Sequence, residues 1–199
     1  MDVKMLRHLL PVCLLVVLSG CNTTAGSGHL NPDFDGYELA EIAIDVRPRS
    51  DLADLVEAKL GTALAARGVK SYKTSDITRF ARDDGEALTK MAERGAHGVM
   101  LVQLSDTANT AVIGAQTYGT ASANHYQATT VPVVAPMRRI DASIMVYATR
   151  PGFKGLDLAV DGSATRDAGG LLYIGNDSMA AEITSGIIEA LSQAGVMPQ

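Results

Sequence analysis

The thiol of Cys21 is the side chain best placed for chemistry, because Leu18, Ser19 and Gly20 precede it: one aliphatic residue, then two small ones that a peptidase cleft accepts. Ahead of them lie an apolar run from Leu9 to Leu18 and a short head carrying Lys4 and Arg7. Charged head, apolar stretch and small-residue cleavage site together make residues 1–20 a secretory signal peptide. The run is too short for a membrane-spanning helix, since its helical length of about 15 Å is roughly half of a bilayer core of about 30 Å. Cys13 is the competing thiol, but Val12 stands where a small residue is needed. Lone cysteines are seldom left free in exported proteins, so Cys21 is expected to be modified.

The tetrapeptide Leu18-Ser19-Gly20-Cys21 resembles the bacterial lipobox. The resemblance implies that Leu18, Ser19 and Gly20 are read by a signal peptidase and that Cys21 carries lipid such as palmitate. With Cys21 as first residue of the mature chain, no internal disulfide can form. Each buried methylene contributes about 0.8 kcal/mol, and the two or three acyl chains that lipoproteins carry hold a domain where one chain would not. The chain has a net charge of -5, so lipid rather than charge supplies the attachment. Asn22 occupies the position where Asp marks inner-membrane retention in Gram-negative lipoproteins. That similarity implies the periplasmic face of the outer membrane.

Other chemistry has no constellation to carry it. The mature chain holds three histidines, His29, His97 and His125, with no HExxH and no cysteine pair, so no metal site is expected. Gly169 and Gly170 form the one close glycine pair before a helix, but lack the Lys or third Gly that would cradle phosphate, so no nucleotide cofactor is expected. There is no G-x-S-x-G elbow, and His97, near a strand end, has no recognisable nucleophile. Asp83 and Asp84 suit a helix cap better than paired acid and base. The acidic balance, with scattered Lys and Arg, excludes nucleic acid. A non-enzymatic protein is expected, and an enzyme would have to build a pocket around His97.

Several elements must position whatever does act. Residues 21–36 comprise the lipidated Cys and a small, polar, glycine-rich stretch that reads as a flexible tether spanning roughly 20 Å. Residues 37–199 are expected to form one mixed α/β domain. Ile42, Ile44 and Val46 alternate as in a half-buried strand. A helix opens at Ser50 or Asp51 and closes at Gly68, with Leu52, Val56, Leu60 and Leu64 on one face. Val69–Lys73 is a short strand, and Thr74–Gly95 reads as helical with a break near Asp83, Asp84 and Gly85. Val99–Val102 lacks polar alternation and suits a strand covered on both faces. Ile140–Ala148 and Leu156–Gly162 form an antiparallel hairpin around a turn at Arg150-Pro151-Gly152-Phe153. Asn176 or Asp177 caps a last helix through Met179, Ile183, Ile187 and Leu191. The order is β-α-β-α-β, hairpin, α, giving a mixed sheet.

Residues 107–137 carry no formal charge and form a long insert before the hairpin. A membrane-crossing hairpin would need one continuously apolar side, but the return arm places Asn124 and Thr130 on one face and His125, Gln127 and Thr129 on the other. Pro132 and Pro136 also remove ladder donors. The insert is expected to be a surface flap or an extended hairpin packed on the sheet, with His125 in an exposed loop.

The lipobox and this element order resemble a group of envelope lipoproteins: the curli secretion channel lipoprotein, the penicillin-binding-protein activator lipoproteins, the amino-terminal domain of TolB and related uncharacterised lipoprotein families. AERGAHGVMLVQLSD is similar to their helix-to-strand passage and RRIDASIMVYATRPGFKGLDLAVDGSAT to their late hairpin. The resemblance implies a membrane-anchored periplasmic protein whose domain binds another envelope protein in cell-envelope assembly. The alternative it implies is a homo-oligomeric subunit of an outer-membrane export channel.

Overall fold

The structure, a computed structural model, describes residues 23–79, 81–122, 125–149, 155–169 and 175–198. The signal peptide, Cys21 with Leu18, Ser19 and Gly20, and the turn at Arg150–Phe153 lie outside the described residues. The chain gathers into a larger unit of Thr24–Asp106, Ile140–Arg166 and the residues from Gly175 onward, and a smaller one around Thr107–Arg139.

The elements are β1 (Thr23–Leu30), a short 3-10 turn (Pro32–Phe34), β2 (Glu41–Arg47), α1 (Asp51–Ala65), β3 (Lys70–Lys73), α2 (Thr74–Thr78), α3 (Asp84–Glu93), β4 (Gly98–Ser122), β5 (His125–Thr149), β6 (Leu156–Gly169) and α4 (Asn176–Gln193). In the larger unit the strands form one sheet in the order β1-β6-β5-β4-β2-β3. β2 pairs parallel with both β3 and β4, Ile44 meeting Lys73 on one side and Met100 on the other. The mixed α/β class expected from the sequence holds.

β2 forms where the sequence places a strand. Ile42, Ile44 and Val46 are dry, and α1 packs both on this strand and on α4. Ser50 caps α1 by accepting from the Ala53 amide at 3.2 Å, and Leu52, Val56, Leu60 and Leu64 fill the face inward. The chain leaves this helix through Gly68, at φ 79°, a conformation that favours glycine. On the other face Ala43 meets Ile77, Met91 and Ala96 from the α2–α3 layer. The anticipated break is there: α2 ends at Thr78, and Asp83 caps α3 by accepting from the Glu86 amide at 2.8 Å. α4 has Gly175 at its cap position, one residue before the expected Asn176.

Two strands exchange the roles expected of them. β2 is buried along both faces, whereas Val99 and Leu101 of β4 are only half-buried. The reason is helix cover: α1 packs on one face of β2 and the α2–α3 layer meets Ala43 on the other, and a hydrophobic run does not itself attract such cover.

The second correction concerns the tether. Thr23–Leu30 is not a flexible linker but strand β1, at the edge of the sheet beside β6. Ser27 lies across from Ser163, Oγ to Oγ at 3.1 Å, and the Asn31 amide donates to Ala159 O at 2.8 Å, so the pair runs antiparallel. Its glycines are there because the backbone itself touches α4. A Cβ on Gly26 would fall 2.0 Å from Gly186 O, and one on Gly28 would fall 2.2 Å from Ala190 O. Asn31 continues the attachment, donating from Nδ2 to Leu158 O at 2.9 Å. Beyond it Phe34 is buried and stacks edge-on against Tyr37 at 5.9 Å. Burial pushes the Tyr37 phenol up to about 12.

In the smaller unit the insert takes the extended-hairpin form. β4 runs on to Ser122 and β5 starts at His125, so His125 lies in a strand instead of a loop. Thr117 and Thr130 face each other across the ribbon, Oγ1 to Oγ1 at 3.0 Å.

Two stability tests follow from these contacts. Gly28→Val should drive a side chain into the Ala190 carbonyl and cost about 1–3 kcal/mol in urea denaturation. At the paired starts of β2 and β3, Glu41 accepts from Tyr72 Oη at 2.9 Å and approaches Lys70 Nζ at 3.5 Å. The Tyr72 hydrogen bond, aided by the Lys70 charge, holds the Glu41 carboxyl below its ordinary range. A lowered folded-state value stabilises above the unfolded value and is lost as pH falls through the folded one. The stability gap between wild type and Glu41→Gln, read from urea midpoints, should therefore be constant near neutrality and close on acidification below about pH 4.

Candidate functional site

Charge converges at the carboxyl ends of β2 and β3. Asp45 lies on the β2 face that carries Ala43, and its side chain is 8% exposed. Arg47, two residues on, wraps back to it with Nε at 2.8 Å and Nη2 at 2.6 Å from Oδ2. Arg49, after Pro48, bridges two acids: Nη2 donates to Asp45 Oδ1 at 3.1 Å, and Nη1 donates to Glu57 Oε2 at 3.3 Å. Glu57 sits on α1 one position after buried Val56, and its side chain is 2% exposed. Lys73, the last residue of β3, brings its ammonium to 3.6 Å from the same Glu57 oxygen.

A cleft opens over this cluster. Its smaller lobe, about 360 Å³, has Asp45 at its base and Arg47, Arg49, Thr74 and Ser75 around it. The larger lobe, about 490 Å³, shares Asp45, Arg47, Thr74 and Thr78 and is completed by an apolar wall that includes Ala87, Met91 and Val99. Two polar atoms here are buried without a hydrogen-bond partner, Thr74 Oγ1 and Glu57 Oε1. The arrangement can present fixed guanidinium groups to an anion beside an apolar surface.

The residues singled out in the sequence do not converge. Cys21 lies outside the described residues; His29 is exposed on β1; Asp83 is the cap of α3; and Gly169 packs on Met137 at the end of β6. The His125 side chain is likewise not described. His97 precedes β4 with its amide donating to Glu41 O at 3.1 Å. A second cleft of about 290 Å³ does adjoin it, walled chiefly by Met91, Ala92, Ala96, Val99 and Leu156. No carboxylate is among its described lining residues, although His97 is close enough to act on the Glu41 carboxyl. Among the described residues no three His, Cys, Asp or Glu side chains gather as metal ligands would. The charged cluster escaped the sequence reading, although it left a signal: Asp45 interrupts an apolar strand, and Glu57 falls on the dry side of an amphipathic helix between Val56 and Leu60.

The smaller unit offers a different surface. Val112, Tyr118, Val131 and Val134 are 67%, 61%, 46% and 59% exposed on a ribbon that has no charge between Asp106 and Arg138. No described helix is long and apolar enough to cross a membrane, which leaves strand-based crossing open.

No family model matches the chain, and no curated protein matches its sequence. Among solved structures it is similar to a dodecameric PelC variant from Paraburkholderia phytofirmans, at 18% identity and a TM-score of 0.44, over 89% of this chain and 99% of that one. It is also similar to a PDZ domain protein from Parabacteroides distasonis, at 9% identity and a TM-score of 0.39, over 86% of this chain and 36% of that one. A DUF4136 family protein from Bacteroides thetaiotaomicron follows at 8% identity and a TM-score of 0.37, over 90% and 99% of the two chains.

Proposed function

We propose that this is a lipid-anchored protein of the periplasmic face of the outer membrane, and that it acts without catalysis by binding another envelope protein during cell-envelope assembly. The observation that carries the binding role is the ribbon of β4 and β5. A solvent-facing hairpin is ordinarily guarded by charge, especially Lys, against pairing with other chains. Here residues 107–137 have none, and four large apolar side chains stand in the open. Exposed apolar surface of this kind marks an interaction site. Attachment rests on Cys21 with Leu18, Ser19 and Gly20, and the leaflet on Asn22.

A second reading, a subunit of an oligomeric export channel, is favoured by strand length. β4 and β5 have 25 residues each, against the 9–11 or so that a membrane-crossing strand needs.

Two experiments test these readings. Cys21→Ala should release the protein from the membrane fraction, and an unchanged membrane fraction would refute the anchor. Full-length lipidated protein in mild detergent, compared by light scattering with a version lacking residues 107–137, separates the binding roles. A monomer in both cases fits a tethered binding domain, whereas a ring that dissolves on deletion of the ribbon replaces it with the channel subunit.

A further inference from the structure

The cleft at the carboxyl ends of β2 and β3 has no part in that reading. We propose that it binds an organic phosphate, with the phosphate held by Arg47, Arg49 and the Thr74 hydroxyl and the organic body lying along Met91 and Val99.

The charge pattern is the first argument. Three cationic side chains, Arg47, Arg49 and Lys73, converge on two carboxylates, and Arg47 and Arg49 line the cleft. The acids are buried, at 8% and 2%, while the cationic side chains are 64%, 44% and 46% exposed. Asp45 and Glu57 thus act as pins beneath cationic groups that remain open above. Arg47 spends Nε and Nη2 on Asp45, and Arg49 spends Nη1 and Nη2 on its two acids. Nη1 of the first and Nε of the second are left to donate. Guanidinium groups already oriented by their acids lose little freedom when an anion meets those donors.

The second argument is the count and placement of donors. Two guanidinium groups and a hydroxyl suit the three free oxygens of a tetrahedral phosphate better than the two of a carboxylate. Thr74 lines both lobes, and its Oγ1 is buried with no partner, so a turn of the side chain toward the cleft would let a ligand oxygen satisfy it. The third argument is shape. Arg47 borders both lobes, Arg49 only the smaller, and the apolar wall lies in the larger beside Arg82 and Asp83, so a ligand has room for both head and body. The place also fits: β2 has parallel neighbours on both sides, and such sheets bind ligands beyond the carboxyl ends of their strands, where the chain's connections diverge.

The phosphate could belong to a free metabolite or to a lipid headgroup, and the test separates the two. Full-length Cys21→Ala protein removes the anchor as a confounder. It is titrated at constant ionic strength with inorganic phosphate, with glycerol phosphate and with chloride, following thermal midpoint and the arginine side-chain Nε–H resonances. In parallel it is mixed with phosphatidylglycerol or phosphatidylcholine vesicles. Saturable binding of the soluble phosphates, at least tenfold weaker in both Arg47→Ala and Thr74→Val, is the expected result and identifies a metabolite. Binding to phosphatidylglycerol vesicles alone, with the same sensitivity, identifies a headgroup. Equal responses to phosphate and chloride, binding that both variants retain, or no binding in either arm overturns the proposal. Should Arg47→Ala fail to fold, the near-isosteric Thr74→Val decides.

Discussion

Exclusion of water from one face of the sheet is the constraint on which the rest of the larger unit depends. Ile42, Ile44 and Val46 from β2, Leu60 and Leu64 from α1, and Met179, Ile183, Ile187 and Leu191 from α4 are all essentially dry. Each fully buried aliphatic side chain contributes about 1.5–3 kcal/mol, so this layer dominates the favourable side of folding. It also fixes geometry. With α1 seated on β2, Glu57 and Asp45 have no freedom to drift, and the arginines they bind inherit that fixity. A buried carboxylate is tolerable only when paired, and two such groups in one place are affordable because the apolar layer beneath them supplies the stability they do not.

The elements that were legible in the sequence are those whose periodicity reports burial directly. α1 and α4 carry apolar residues at helical spacing, and the Asp83–Gly85 stretch breaks the helical run where the structure breaks it. β1 was illegible because its stabilisation comes from main-chain approach. Thr, Ser, Ala and Gly in succession describe a solvated linker by composition, yet the same small residues are what lets one backbone lie on another. The ribbon's length was hidden for a related reason, since Thr, Ala and Gly neither demand nor forbid a strand and the ladder simply continues through them. The cleft assembles Asp45, Glu57 and Lys73 from three elements. Only the crossover connection that makes β2 and β3 neighbours unites them.

The two units divide the chemistry of the chain between them. The larger one carries the chain's net negative charge, and many of its acids and bases also interlock locally. In the ribbon, recognition has to come from hydrogen bonding along the backbone, small hydroxyls and isolated apolar side chains, all insensitive to salt. Contacts made by such a surface would persist across the changes of ionic strength that weaken charge-driven association. The cleft has the opposite character, since oxyanion binding to arginine is screened as salt rises.

The seating of β1 also sets an order of events. Ser27 and Ser163, which face each other in the finished sheet, are 136 residues apart in sequence, and Gly186 and Ala190 follow later still. Contacts this remote are made slowly, because the intervening chain must first be brought together. A chain emerging amino-terminus first therefore exposes β1 without a partner until the last helix appears. Throughout that interval a glycine-rich strand stays without the backbone that will cover it. Late closure thus makes the amino-terminal edge strand the last piece of the sheet to be seated.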